Sequence, residues 1–94
     1  MNQQKGTPEK MNQTAERMSD IREIVAEVLE LSPEEISESG DFIEEYGADS
    51  MSAIEILAGL DRHFDIEIPQ EHLAQMRNLR EVYAVVAREA SWEV

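Results

Sequence analysis

Gly47-Ala48-Asp49-Ser50-Met51 runs into Ser52-Ala53-Ile54-Glu55-Ile56-Leu57-Ala58-Gly59-Leu60-Asp61-Arg62-His63-Phe64, and the reading of this stretch decides the fold. Ala53, Ile56, Leu57, Leu60 and Phe64 follow one another at intervals of 3, 1, 3 and 4 residues, the spacing of one apolar helix face. The pattern predicts a helix over 50–64, with Asp49 as its N-cap and Ser50 in its first turn. Met51, Ile54 and Ala58 fall outside the stripe, on a side that a globular helix usually makes polar. Gly59 inside the helix costs about 1 kcal/mol relative to alanine and allows a close helix contact.

Upstream, residues 32–49 carry Glu34, Glu35, Glu38, Asp41, Glu44, Glu45 and Asp49 without a single Lys or Arg. They read as one long connection with little regular structure and uncompensated negative charge, pinned to the core by Phe42 and by Ile43 or Tyr46. Gly40 and Gly47 permit its turns. Ser32-Pro33-Glu34-Glu35 has the form of a capping box and predicts a single turn with Ile36 inward. Before it, Ile21, Ile24, Val25, Val28 and Leu29 recur at helical spacing, which predicts a first helix from Ser19 to about Leu31. Residues 1–17 are polar and read as a flexible or frayed leader. Thr7-Pro8-Glu9 nevertheless has the form of a helix start, and Met11, Ala15 and Met18 could extend the helix backward.

Downstream, Asp65-Ile66-Glu67-Ile68-Pro69 alternates like a short strand that has no partner, with Ile66 or Ile68 buried. Gln70 to Met76 can form one or two helical turns. Asn78 caps a last helix whose buried face is Leu79, Val82, Tyr83 and Val86 and which ends near Ala90. Residues 91–94, with Trp92, read as a short tail carrying a loose edge-packing ring. The sum is all-α: three main helices plus a short fourth around one core, with a long first loop.

The chain has 94 residues, enough for one small domain, and no cysteine, so disulfides and thiolate metal sites are excluded. No apolar run approaches the roughly 18 residues of a membrane span and no signal-peptide pattern is present, which predicts a cytoplasmic chain with no membrane partner. A net charge of −13 disfavours nucleic acid and favours basic protein partners.

Ser50 is the residue with chemistry to offer. Backbone N–H groups of a first helical turn are unpaired and the helix dipole attracts anions, so a phosphate ester on Ser50 would be well received. The plainest reading of Asp-Ser at a helix start is capping alone. A hydrolase nucleophile elbow would need glycines where Ala48 and Ser52 stand, and His63 and His72, read as surface residues, are too far along the chain to serve as its base. The acidic segment lacks the spacing of a calcium loop, so no dedicated metal site is expected.

Gly47-Ala48-Asp49-Ser50-Met51, the helix after it, Phe64-Asp65-Ile66-Glu67-Ile68-Pro69 and the preceding Phe42-Ile43-Glu44-Glu45-Tyr46 together resemble an acyl carrier protein over roughly Met18 to Ala90. The resemblance implies an acyl-carrier-like helical bundle over 18–90, a monomer that catalyses nothing itself. It implies that a phosphopantetheinyl transferase, using Mg²⁺, attaches 4′-phosphopantetheine from coenzyme A to Ser50, with Asp49 as part of the motif. Acyl groups then ride as thioesters on the arm and are presented to a ketosynthase, an acyltransferase or other acyl-processing enzymes. The resemblance assigns partner contacts to Met51, Ile54, Glu55, Ala58, Asp61 and Arg62, and an acyl pocket to Ala53, Ile56, Leu57 and Leu60. Tyr46 departs from the leucine usual in the family. Ser52, Arg62 and His63 stand where carriers of primary fatty acid synthesis commonly have acids, which points to polyketide or other specialised acyl biosynthesis. Non-ribosomal peptidyl carriers usually show Gly-Gly-x-Ser, unlike Gly47-Ala48-Asp49-Ser50. The competing classes are a carrier of primary fatty acid synthesis and an unmodified acidic adaptor for basic partners.

Overall fold

The computed structural model describes residues 9–92. Four α-helices, α1 (Glu9–Leu29), α2 (Phe42–Tyr46), α3 (Ser50–Phe64) and α4 (Leu79–Ala90), are joined by 3-10 turns at Pro33–Glu35 and Gln70–Gln75. The strand-like alternation after Phe64 forms no strand: Ile68 is buried and Ile66 half-buried in an extended connection. α1 packs against both α3 and α4, and the second 3-10 turn packs against α3 and α4. Ile21, Val25, Leu60, Leu79, Val82, Val85 and Val86 are fully enclosed at the centre. Truncating a side chain such as Leu60 to alanine there would cost about 2–5 kcal/mol.

The first helix begins at Glu9, ten residues ahead of the Ser19 start read from periodicity. The physical reason is continuity: no Gly or Pro interrupts 9–29, and each residue added to an existing helix gains a hydrogen bond without a new nucleation cost. Met18 packs against the core, and the Arg17 guanidinium lies 4.2 Å from the centre of the Trp92 ring. Frayed structure over 9–17 is therefore corrected to helix, while the Thr7-Pro8 cap lies outside the described residues.

Trp92 is not a loose ring. It meets Phe64 edge-on at 5.2 Å and Tyr83 at 5.4 Å, and its backbone N–H donates to the Ala87 carbonyl at 2.9 Å. It thus ties α1, α3 and α4 together. The same backbone device ends α1: Glu30 takes a left-handed conformation (φ 61°), and the Leu31 N–H reaches back to the Ala26 carbonyl at 2.9 Å.

The acidic segment is more ordered and less uncompensated than its sequence implies. Asp41 caps α2, accepting from the Ile43 and Glu44 backbone N–H groups at 2.9 and 3.0 Å. Gly47 closes α2 with φ 71°. Arg77 meets Asp41 at 2.7 Å, and Arg22 and Arg80 each approach Glu38 at 3.9 Å. Two backbone bonds strap the segment down: Phe42 N–H to the Arg77 carbonyl (2.8 Å) and Arg80 N–H to the Glu38 carbonyl (3.1 Å). Cations distant in sequence thus supply what the segment lacks. The Pro33–Glu35 turn and buried Ile36 are as expected, but the Ser32 side chain makes no capping hydrogen bond.

Candidate functional site: Ser50 and the groove beside it

α2 ends at Gly47, Ala48 is buried, and the chain runs extended through Asp49 before turning into α3. The Asp49 carboxylate accepts from the Ser52 backbone N–H at 2.9 Å and from the Ser52 hydroxyl at 3.0 Å. The Ser52 backbone N–H above all, then its hydroxyl, hold the Asp49 carboxyl below the usual carboxylate range, so it stays ionised. Asp49 therefore does the capping. Ser50 follows as the first residue of α3, exposed, and among the described residues its hydroxyl has no hydrogen-bond partner in the protein.

Beside Ser50 opens a groove of about 470 Å³. Ser50, Ala53, Ile54 and Ile56 of α3 form one wall, Phe42, Ile43 and Ala48 a second, and Leu73, Ala74, Met76 and Arg77 a third. Its lining is mainly apolar, with Asp49, Ser50 and Arg77 as the polar residues. Of the four pocket residues expected, Ala53 and Ile56 line the groove. Leu57 and Leu60 do not: they are buried in the core. The residues missed, Phe42, Leu73 and Met76 among them, come from segments far apart in sequence, and only their apolar character marks them.

Met51 and Ile54 are exposed (66% and 43%), and Ile43 on α2 joins them as a third exposed large apolar side chain (58%). Glu55, Ala58 and Arg62 line a cleft between α1 and α3, together with Ile24, Glu27, Val28, Glu30, Gly59 and His63, and all three are exposed. Asp61 also has a role within the fold: its Oδ1 accepts the Ile68 backbone N–H at 3.0 Å and its carbonyl accepts the Ile66 N–H at 3.1 Å. It holds the connection after α3, which takes that carboxylate oxygen out of the exposed face.

The two histidines are engaged away from Ser50. His63 is exposed, as read from sequence, and its Nε2 stands 3.3 Å from Asp20 Oδ2. His72, read as a surface residue, is half-buried with Nε2 3.6 Å from Glu89 Oε2. Among the described residues no group of three or more His, Cys, Asp or Glu could hold a metal ion, and no helix is long and apolar enough to cross a membrane.

A family model described as the phosphopantetheine attachment site matches residues 19–86. The chain belongs to that family. The phosphopantetheine group is the cofactor of these acyl carrier proteins, which are non-catalytic. The chain is similar to the polyketide-8 synthase acyl carrier protein 1 of Streptomyces avermitilis, 46% identical over 54 residues that make up 57% of this chain and 64% of that one. It is also similar to an acyl carrier protein of Akkermansia muciniphila, 34% identical over 50% of this chain and 59% of that one. The chain thus spans less than two thirds of the length of these curated relatives. Among solved structures it resembles a chain from "The ishigamide ketosynthase/chain length factor", with TM-score 0.68 and 38% identity over 82% of this chain and 97% of that chain.

The residues present fit the cofactor. A free, exposed hydroxyl on the first residue of a fifteen-residue helix can be esterified without breaking any contact, and an apolar groove lies next to it.

Proposed function

We propose that Ser50 is the attachment residue for 4′-phosphopantetheine and that the chain carries acyl intermediates of polyketide or other specialised biosynthesis. The observation that carries this reading is the division of labour at the start of α3, where Asp49 caps the helix and leaves the Ser50 hydroxyl unpartnered. When bound, the group supplies a terminal thiol for thioester linkage.

The chain's own residues provide position and surroundings. Asp49 and the first turn fix where the Ser50 oxygen stands, and the positive end of the α3 dipole favours a phosphodiester there. The phosphopantetheinyl transferase provides the base and Mg²⁺, since no histidine stands by Ser50. The groove offers an apolar chain shelter from water, worth about 0.8 kcal/mol per buried methylene. Ile43, Met51 and Ile54 form an apolar docking patch beside Ser50, with Glu44, Glu45 and Glu55 exposed on the same two helices to meet basic residues of a ketosynthase or acyltransferase. The likeness to a polyketide synthase carrier and to a chain from a ketosynthase/chain length factor structure supports the specialised pathway over primary fatty acid synthesis.

Intact mass after incubation with coenzyme A, Mg²⁺ and a broad-specificity transferase tests the reading. The expected result is gain of one phosphopantetheinyl group, abolished in Ser50→Ala. A folded wild type that gains nothing would leave the acidic adaptor as the better account.

A further inference from the structure

The groove beside Ser50 contains a group that a slot for a saturated chain does not need. Arg77 is the one cationic residue in its lining. Its Nη2 stands 2.7 Å from Asp41 Oδ2, and its carbonyl accepts the Phe42 N–H at 2.8 Å, so both its backbone and its guanidinium are anchored to the α2 end of the groove. Half the side chain remains exposed. Guanidinium is a planar fork of donors that is never deprotonated in proteins, and a single contact to Asp41 leaves other N–H groups to offer.

The physical consequence is discrimination by oxygen content. A carbonyl oxygen that leaves water for an apolar slot loses its hydrogen bonds, and its burial is unfavourable unless a donor meets it. A methylene chain has no such requirement. The second charged lining residue, Asp49, cannot serve a carbonyl, because a carboxylate only accepts and is already held by Ser52.

We propose that Arg77 is a specificity-determining residue that favours acyl chains bearing β-keto oxygens, which accept hydrogen bonds from its guanidinium inside the groove, over saturated chains of equal length. The proposal rests on attachment at Ser50. It needs no bond to form or break within the groove.

The test uses the full chain carrying an octanoyl or a β-ketooctanoyl arm, amide-linked to resist hydrolysis and installed by the transferase, with intact mass recording the loading. Each loaded form is melted against the same variant carrying the unacylated arm, so that any stability lost with the Arg77–Asp41 pair cancels. In wild type the β-keto arm is expected to raise Tm by about 4 °C more than the octanoyl arm. In Arg77→Met, which has similar length and no donor, that gap falls below about 1 °C. The Arg77 Nε–H resonance of wild type is expected to shift with the β-keto arm and not with the octanoyl arm. Equal gaps in wild type and Arg77→Met, or no gap in wild type, overturn the role of Arg77 while leaving the carrier reading intact. Absence of any mass gain overturns the Ser50 assignment, and the Arg77 role with it.

Discussion

The phenolic oxygen of Tyr46 accepts the backbone N–H of Ser37 at 2.9 Å, from nine residues away, and closes the acidic segment onto itself. Gly40 lies inside this closure, its N–H bonded to the Ser37 hydroxyl at 3.0 Å. A leucine at position 46, usual in the family, could pack but could not make this bond. Tyr46→Phe is expected to lose about 0.5–1.5 kcal/mol. A β-carbon at Gly40 would stand 2.8 Å from both the Ser37 Oγ and the Tyr46 hydroxyl, so Gly40→Ala is expected to lose about 1–3 kcal/mol. Because Tyr46→Phe removes one of the two collisions, the double variant should lose less than the sum. Urea unfolding of the four proteins checks this, and strict additivity would contradict it.

Gly59 is decided by α1 rather than by α3. A β-carbon there would meet the Ile24 Cγ2 at 2.9 Å, and that methyl sits on the stiff branch of its side chain. Alanine would improve helix propensity by about 1 kcal/mol, whereas separating two packed helices costs about 1–3 kcal/mol. Gly59→Ala is therefore expected to lower Tm, and Ile24→Ala in the same chain to remove most of that extra loss. A Gly59→Ala protein that melts higher than wild type would show that the helices part freely.

Glu30 holds a left-handed conformation that side chains with a β-carbon adopt at a cost of about 1–2 kcal/mol. Glycine avoids that cost but has more unfolded-state freedom to lose, so Glu30→Gly is expected to gain about 0.5 kcal/mol. Glu30→Ala separates conformation from charge: it removes the same negative charge yet keeps the β-carbon. Thermal melts should show Tm rising for glycine and not for alanine. Equal rises in both would make charge relief the cause.

What was legible in the sequence was what repeats along one helix. The faces of α3 and α4 and the caps Asp49 and Asn78 follow from local spacing, and Asn78 does accept the Glu81 N–H at 2.8 Å. α2 reads as loop in the sequence because five residues are too few to display a helical period. The N-terminal turns of α1 read as frayed in the sequence because their anchor, Arg17 over Trp92, joins opposite ends of the chain. The groove was half legible for the same reason. Ala53 and Ile56 share the helix that carries Ser50, but Leu73, Met76 and Arg77 reach it only through the tertiary fold. Leu57 and Leu60 lie on the same stripe and still miss the groove, because the stripe is wider than one wall and its remainder faces the core.

The Asp49 cap gives the chain a defined acid dependence. The Ser52 N–H and hydroxyl hold the carboxyl below its ordinary value in the folded state, whereas the unfolded chain titrates near the usual aspartate value of about 3.9. Between those two values the unfolded state binds more protons, so this stability is fully present above the ordinary value and is lost as pH falls through it toward the lowered one. Asp41 behaves in the same sense, held low by the Glu44 N–H, then by the Ile43 N–H and Arg77. Overall stability need not follow, since protonating a chain of net charge −13 relieves repulsion in the opposite direction. The informative quantity is a difference. Asp49→Asn keeps a side-chain acceptor at the cap and removes the charge, so its Tm should lie below that of wild type by a constant amount from pH 7 to about pH 5 and converge on it below about pH 4. A gap that stays constant down to pH 3 would mean that ionisation of Asp49 contributes nothing to the start of α3, and that Ser50 is held in place by the backbone alone.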